Sequence, residues 1–589
     1  MQPQIKNYLI LLCVIYFGKI TGQTTFKKLT DGAIVNTLTD SRSINFADFN
    51  KDGFEDLLIT QGNSAGASDL IYFNKGNLIF EIQPHLTQQI SDPSVGATIG
   101  DMNNDGLSDI YVASWYNKKN ILYKGIENNG FDIIQMDPNS YSESASWGDF
   151  DNDGYLDLYV CNSGNNASDN YNFLYKNNAG TLALQSNHIT VKETNFSRNA
   201  TWIDYDNDGD IDLFICNENQ TRNDLFKNEG NGNFIKVVSA GDLLEEASGS
   251  MSSSWGDVNN DGWMDVFICN SGFFIGQPNR LYMNNGDGTF TKRTGIFESD
   301  NGCSFSASFS DYDNDGDVDL VVTNGFCNGL IRNFLYLNDG KGIFSKDLTS
   351  ISSLQTQCSF GTAWGDLNND GFQDLVIANC KNSSQAPLSK NHIWINDGNE
   401  NHWLKLKLAG VVSNSSAIGA QVYVSSVIHG ERTKQKRELT SVSGYCSQNS
   451  NIVHFGMGNA VSADTIMIIW PSGITQTLTD IHTNETLVLN ESVINSTSDN
   501  KDFVSFDISP NPASTKFVVS AHFIENTDTL HFEIISSGGE TVYKTSFLNV
   551  SANWNQTFDA HDLKLKTGMY YTKVSTKSSS ITKNLVVTP

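Results

Sequence analysis

Seven times the chain repeats an aspartate-led pattern, D-x-[DN]-x-D-G-x-x-D, that gathers oxygen ligands within nine residues. Position 1 is Asp48, Asp101, Asp149, Asp204, Asp257, Asp311 or Asp366, and position 3 is Asn50, Asn103, Asp151, Asp206, Asn259, Asp313 or Asn368. Position 5 is Asp52, Asp105, Asp153, Asp208, Asp261, Asp315 or Asp370, and position 9 is Asp56, Asp109, Asp157, Asp212, Asp265, Asp319 or Asp374. Three or four carboxylates in one tight loop repel unless a cation lies between them, and ligation by oxygen alone selects a hard ion. Glycine at position 6 of every copy permits the sharp turn, after which the position 7 carbonyl turns inward as a further ligand. Such a shell, with room for bidentate binding or water, suits Ca²⁺ better than octahedral Mg²⁺. Up to seven Ca²⁺ are therefore expected.

An EF-hand loop opens in the same way but needs a bidentate Glu at position 12 and flanking helices. Position 12 here is Ile59, Val112, Val160, Ile215, Ile268, Val322 or Ile377, all β-branched. The loop is therefore read as a β-hairpin metal site closed by position 9.

The elements that must hold these loops recur with them. Loop starts are separated by 53, 48, 55, 53, 54 and 55 residues, and a period near fifty marks repeated supersecondary units. Each loop follows a run such as Ser-Ala-Ser-Trp-Gly (144–148) and precedes one such as Leu-Asp-Leu-Tyr-Val (156–160). A third run such as Asn279-Arg-Leu-Tyr-Met leads through an Asn-Gly or Asp-Gly turn to a fourth opening at Phe290. Four short strands per repeat without helical periodicity predict an all-β, seven-bladed propeller. The seventh repeat lacks its fourth run, while Thr24-Thr-Phe-Lys-Lys-Leu-Thr at the start of the mature chain resembles one. The N-terminal strand is thus expected to complete blade seven and close the ring.

This grammar resembles the FG-GAP/VCBS repeats, whose Ca²⁺ loops also occur in integrin α-chain propellers; the resemblance covers roughly Thr24 to Gly398. From Asn401 the text changes to Asn-His-Trp-Leu-Lys-Leu-Lys-Leu, then Ala417-Ile-Gly-Ala, His454-Phe-Gly-Met-Gly and Trp470-Pro-Ser-Gly. These motifs are similar to the ASPIC/UnbV module that follows such propellers in cartilage-acidic-protein-like proteins, with Ser415 standing where a basic residue is usual. The resemblance implies no catalytic role for His454 or Trp470. The last ~85 residues carry Ile508-Ser-Pro-Asn-Pro and Leu565-Lys-Thr-Gly-Met-Tyr-Tyr, and resemble the type A sorting domain of type IX secretion, a small β-sandwich that directs cargo across the outer membrane. The expected order is a signal peptide at 1–22, the propeller at 23–399, the ASPIC/UnbV-like domain at 400–491, a polar linker at 492–504 and the sorting domain at 505–589.

Charge and address agree with this order. Against 38 basic residues stand 66 acidic ones, and a net −28 disfavours nucleic acid or an anionic membrane as partner. The loops hold 24 of those acids, so seven divalent ions would halve the formal charge. Lys6, the apolar run from Tyr8 to Phe17 and the exit to Gln23 form a secretory signal, the run being about half of the ~20 residues that span a bilayer. The expected address is the medium or outer surface of a bacterium using type IX secretion, with that machinery as a partner and no transmembrane segment in the mature chain.

An exported chain can oxidise its cysteines. Pairing loop position 1 with position 9 sets Cys303 opposite Cys327, eight residues to either side, and predicts a disulfide. Cys358 and Cys380 form a looser pair, offset by two; Cys161, Cys216 and Cys269 are read as buried thiols. No nucleophile elbow, zinc signature or phosphate loop occurs, so a non-enzymatic binding or adhesion protein taking a glycan or extracellular protein is the first reading. A polysaccharide lyase or hydrolase built on the propeller is the alternative. The loops joining strands two and three leave the end opposite the metal loops, and their Trp115, Tyr116, Phe273 and Phe274 are the expected ligand-binding residues.

Overall fold

The computed structural model describes residues 24–491 and 503–587, apart from 84–89, 165–169, 329–330, 352–356, 382–386, 510–514, 524–525, 537–540, 567 and 578–579. The signal peptide, most of the expected linker and the Pro-Asn-Pro opening of the sorting domain lie outside the described residues. A strand begins at Phe503, within the segment expected to be linker.

Seven antiparallel four-stranded sheets form the blades. Six use consecutive strands. The seventh joins Ser359–Gly365, Asp374–Asn379 and His392–Asn396 to the N-terminal strand Phe26–Lys28, with Phe26 opposite Asn396, so the ring is closed by its own N-terminus. The borrowed strand supplies the outer edge of blade seven and ties the start of the chain to its last blade. Among the described residues helix is confined to single turns such as Ala33–Asn36 and Phe297–Asp300.

The strands form because alternating residues have apolar partners on both blade faces. The second strand of every blade, for example Asp157–Asn162, is buried throughout, which is why it reads as a continuous β-branched and aromatic run. Trp147, Trp202 and Trp364, from first strands, wedge between neighbouring blades: the Trp202 indole donates to Ser146 O at 3.1 Å and packs on Tyr159. Burying such a side chain contributes roughly 1.5–3 kcal/mol.

The second domain is a sandwich. One sheet orders Ile452–Gly458, His402–Ala409 and Glu485–Asn490, the last pair parallel; the other orders Glu431–Glu438, Gln421–Ile428, Ser462–Ile469 and Thr475–His482. Leu404, Leu406, Val422, Phe455 and Ile466 fill its core. The last domain is a second sandwich, of three and four strands, around Phe517, Val519, Phe532, Ile534 and Leu585.

Candidate metal loops and axial pocket

In every blade the loop begins where the first strand ends, and position 9 lies opposite the residue before position 1: Gly148 faces Asp157 and Ser310 faces Asp319. A β-bulge in each first strand then shifts the register by a residue or more, as between Ser304 and Ser306. This corrects the expected register. Cys303 and Cys327 lie beyond the ladder, not across it, and are joined there with Cα atoms 5.4 Å apart. The looser pair Cys358–Cys380 is bonded as well, at 5.3 Å, because the bulge absorbs its offset. Cys161, Cys216 and Cys269 are buried thiols, joined by Cys446.

The position 9 aspartate works on the backbone of all seven blades. One oxygen accepts the N–H of the third strand, from Asn74, Gly125, Asn177, Asn228, Asn284, Asn338 or Asn396, at 2.7–2.9 Å. In six blades the other accepts the N–H of loop position 2, as Asp157 does from Phe150 at 3.1 Å. The position 1 carboxylate accepts the N–H of the position 6 glycine, 2.9 Å for Asp149 and Gly154. Sequence reasoning missed a second duty of the third-strand Asn. Its side chain donates to the position 2 carbonyl of the preceding blade, Asn228 to Phe150 O and Asn338 to Val258 O, both at 2.7 Å, clasping blade to blade. The Asn that recurs in six of the seven third runs was its signal.

Three loops bring carboxylate oxygens within 4.8 Å of one another: Asp149, Asp151 and Asp157; Asp204, Asp206 and Asp212; Asp311, Asp313 and Asp315. These are the loops with Asp at position 3. In three of the others the position 3 Asn instead donates to position 5, as Asn103 does to Asp105 at 2.8 Å. Burial pushes Asp56 and Asp109 up to about 7 and Asp157 to about 9. Buried oxygens Asp151 Oδ1, Asp206 Oδ1, Asp311 Oδ1 and Asp319 Oδ2 have no hydrogen-bond partner among the described residues. All-oxygen donors with buried, unsatisfied lone pairs fit a hard divalent cation. Lys176 beside Asp151 and Lys227 beside Asp206 supply part of the countercharge in blades three and four.

The second domain sits on this metal-loop end. It reaches five position 1 aspartates directly: Ser415 Oγ donates to Asp101 at 2.6 Å, Gln421 to Asp204 at 2.7 Å, Gly456 N to Asp311 at 3.0 Å and Lys405 to Asp366 at 2.6 Å, and Lys407 pairs with Asp48 at 3.8 Å. Ser415, the departure from the usual basic residue, is thus a contact to loop two. His454 is half-buried, its Nε2 3.1 Å from Gly371 O and its pKa lowered to about 3 by desolvation, and Trp470 packs inside the sandwich.

From this domain residues 439–451 enter the propeller axis. Gln448 exchanges backbone hydrogen bonds with Ile44 and Phe46 of blade one, and its amide with Ile99 of blade two. Ser441 donates to Trp147 O at 2.7 Å, Gly444 O accepts from Asn199 at 3.0 Å, Tyr445 N donates to Ser306 Oγ at 3.0 Å, and Asn449 accepts from Trp364 N at 3.0 Å. The tip, Tyr445 and Cys446, packs with Met251, Phe305 and Phe360.

Above that tip, at the end away from the metal loops, lies a cavity of about 160 Å³. Trp115, Tyr116 and Phe273 line it, together with Phe326 from another second loop. Phe274 does not; it is 57% exposed on the same loop as Phe273. Also in the wall are Arg42, Glu143, Arg198, Phe305, Phe360 and Tyr445, which sequence reasoning missed. Their signal was present: every first strand opens Ser-x, and x is Arg42, Val95, Glu143, Arg198, Met251, Phe305 or Phe360. Arg198 bonds Glu218 through both carboxylate oxygens at 2.8 Å and pairs with Glu143, which Tyr445 also reaches through its hydroxyl.

Known families match three stretches of the chain. The FG-GAP-like repeat matches residues 48–112, 101–160, 149–215, 204–268 and 269–322; the ASPIC and UnbV family matches 410–496; the secretion system C-terminal sorting domain matches 507–588. Cartilage acidic protein 1 is 26% identical over 271 residues in Mus musculus, covering 44% of this chain and 40% of that protein. The Homo sapiens protein is 25% identical over 271 residues, covering 44% and 39%. The chain spans about two fifths of the length of these curated relatives. Among solved structures, the BBS1N complex with ARL6DN aligns with 11% identity and TM-score 0.40, covering 63% of this chain and 96% of that one. A protein from Lactobacillus plantarum aligns with 13% identity and TM-score 0.39, covering 54% and 88%.

Proposed function

We propose that this chain, which carries FG-GAP-like repeats, an ASPIC and UnbV domain and a secretion system C-terminal sorting domain, is a non-enzymatic binding protein of the bacterial exterior. The sorting domain directs it through type IX secretion to the cell surface or extracellular space. No helix among the described residues is long and apolar enough to cross a membrane. Ca²⁺ in the acidic loops stiffens the propeller, with the position 1, 3, 5 and 9 side chains as ligands, and the opposite end takes a glycan or an extracellular protein.

The observation that carries this reading is the convergence of second-loop aromatics, Trp115, Tyr116, Phe273 and Phe326, on one cavity at the propeller axis. Rigid scaffolds present ligands with loops in this way. The matched families are not catalytic. Glu143, the carboxylate in the cavity wall, is committed to Arg198 and Tyr445, which disfavours a polysaccharide-cleaving acid–base pair there.

The test is a screen of glycans and extracellular proteins against the mature chain, with and without Ca²⁺. Joint replacement of Trp115, Tyr116, Phe273 and Phe274 by Ala is expected to abolish capture and leave Ca²⁺ uptake intact. Unchanged capture by the folded quadruple variant overturns the location of the site.

A further inference from the structure

We propose that the axial cavity is an anchor site for one ring-bearing side chain of a polypeptide, built jointly by the propeller and the ASPIC and UnbV domain. The inference rests on the binding reading above and names its ligand class.

The cavity is composite. Its wall comes from the x residues that open the first strands and from the second loops, but Tyr445 belongs to the segment that the other domain sends through the axis. That domain docks on the metal-loop end, yet it completes a site at the far end. A propeller alone would have an open channel where Tyr445 stands.

Size restricts the occupant. About 160 Å³ is close to the ~150 Å³ of an engineered apolar cavity that takes up benzene, so one six-membered ring fills the space. Aromatic rings supply most of the wall.

Charge restricts it further. Arg198 is matched by Glu143 and Glu218, and Arg42 by Asp40 at 3.4 Å and by the Phe360 face at 4.3 Å. The wall therefore offers no unpaired cation to an anionic ligand. It does ask for an acceptor. Trp115 Nε1 and Arg198 Nε are buried N–H donors without a hydrogen-bond partner among the described residues. Buried donors left unmet are costly, and a ligand oxygen relieves them.

A neutral ring with one or two acceptor oxygens describes a phenylalanine or tyrosine side chain with its own peptide carbonyl. A hexose of similar size carries a hydroxyl on nearly every carbon, each losing water and needing a partner that these rings do not offer. The surroundings agree. Tyr116, Phe274 and Ile275 are exposed on the second loops of the same end, 46%, 57% and 71%, and an apolar surround about a buried aromatic anchor is the anatomy of a protein-binding hot spot.

The test uses the mature full-length chain in Ca²⁺ with N-acetyl-phenylalaninamide, N-acetyl-tyrosinamide and methyl β-glucopyranoside as probes, read by calorimetry and tryptophan fluorescence. The amides are expected to bind saturably and the glucoside not to compete. Trp115→Phe keeps a ring but removes the N–H and should weaken the amides about tenfold; Tyr445→Leu should do the same from the other domain. Melting curves confirm that each variant is folded. Failure of both amides, an unchanged affinity in folded Trp115→Phe, or preference for the glucoside overturns the proposal. If polymers are captured in the wider screen while the amides fail, the binding reading stands and this inference falls; if the amides bind but no polymer is captured, the wider reading falls.

Discussion

The seven position 9 aspartates and the three position 3 aspartates look alike as ligands, but their surroundings assign them different work. Asp157 holds the N–H groups of Phe150 and Asn177, whereas Asp151 Oδ1 holds nothing among the described residues. Removing the first leaves two buried N–H groups unmet, at about 1–3 kcal/mol each with or without metal. Removing the second subtracts a proposed metal ligand and the Lys176 ion pair, but leaves no buried N–H unmet. Asp157→Ala is therefore expected to lower the melting temperature in both Ca²⁺ and chelator. Asp151→Ala should fall further below the parent in Ca²⁺ than in chelator, where it loses only the Lys176 pair, because binding to the folded state alone adds stability by mass action. Equal behaviour of the two variants, or no effect of chelation on the parent, would refute the division. The nine-residue spacing made the candidate ligands legible, but the second duty of position 9 depends on a third strand that the motif does not contain.

Among elements, the segment 439–451 is the one that no local pattern announces. It lacks strand alternation because its partners lie on six blades in turn. Small residues mark where backbone meets backbone. Gly444 has φ +58°, and a Cβ there would lie 2.2 Å from Ala307 O; at Gly96 it would lie 2.9 Å from Cys446 Cβ. Gly430, at φ +88° on an open hairpin, has nothing within 4 Å of its would-be Cβ. Both glycines carry the cost of a left-handed conformation, but only Gly444 adds overpacking, typically about 1–3 kcal/mol. Denaturant unfolding should find Gly444→Ala less stable than Gly430→Ala by that margin. Equal losses would mean that the axial segment is not seated as described.

At the scale of the whole molecule, the C-terminal sandwich closes its own core around Phe517, Phe532 and Val574, and is expected to be needed for delivery rather than for folding of the rest. Deleting 503–589 should leave a folded, Ca²⁺-binding protein retained in the periplasm; normal delivery of the truncated chain would contradict this. What the sequence by itself determined is what repeats or lies close along the chain: seven loops, four strands each, a borrowed N-terminal strand, and an oxygen-only donor set within nine residues. Periodicity exposes these because each blade solves the same packing problem with the same residue types. What only the tertiary structure decided joins residues that share no period. Gln448 meets Ile44 across some four hundred positions, Tyr445 reaches Glu143, and Lys405 is buried against Asp366. Those contacts depend on how a non-repeating domain seats itself on a ring, and seating is set by shape and desolvation at surfaces that exist only once both parts have folded.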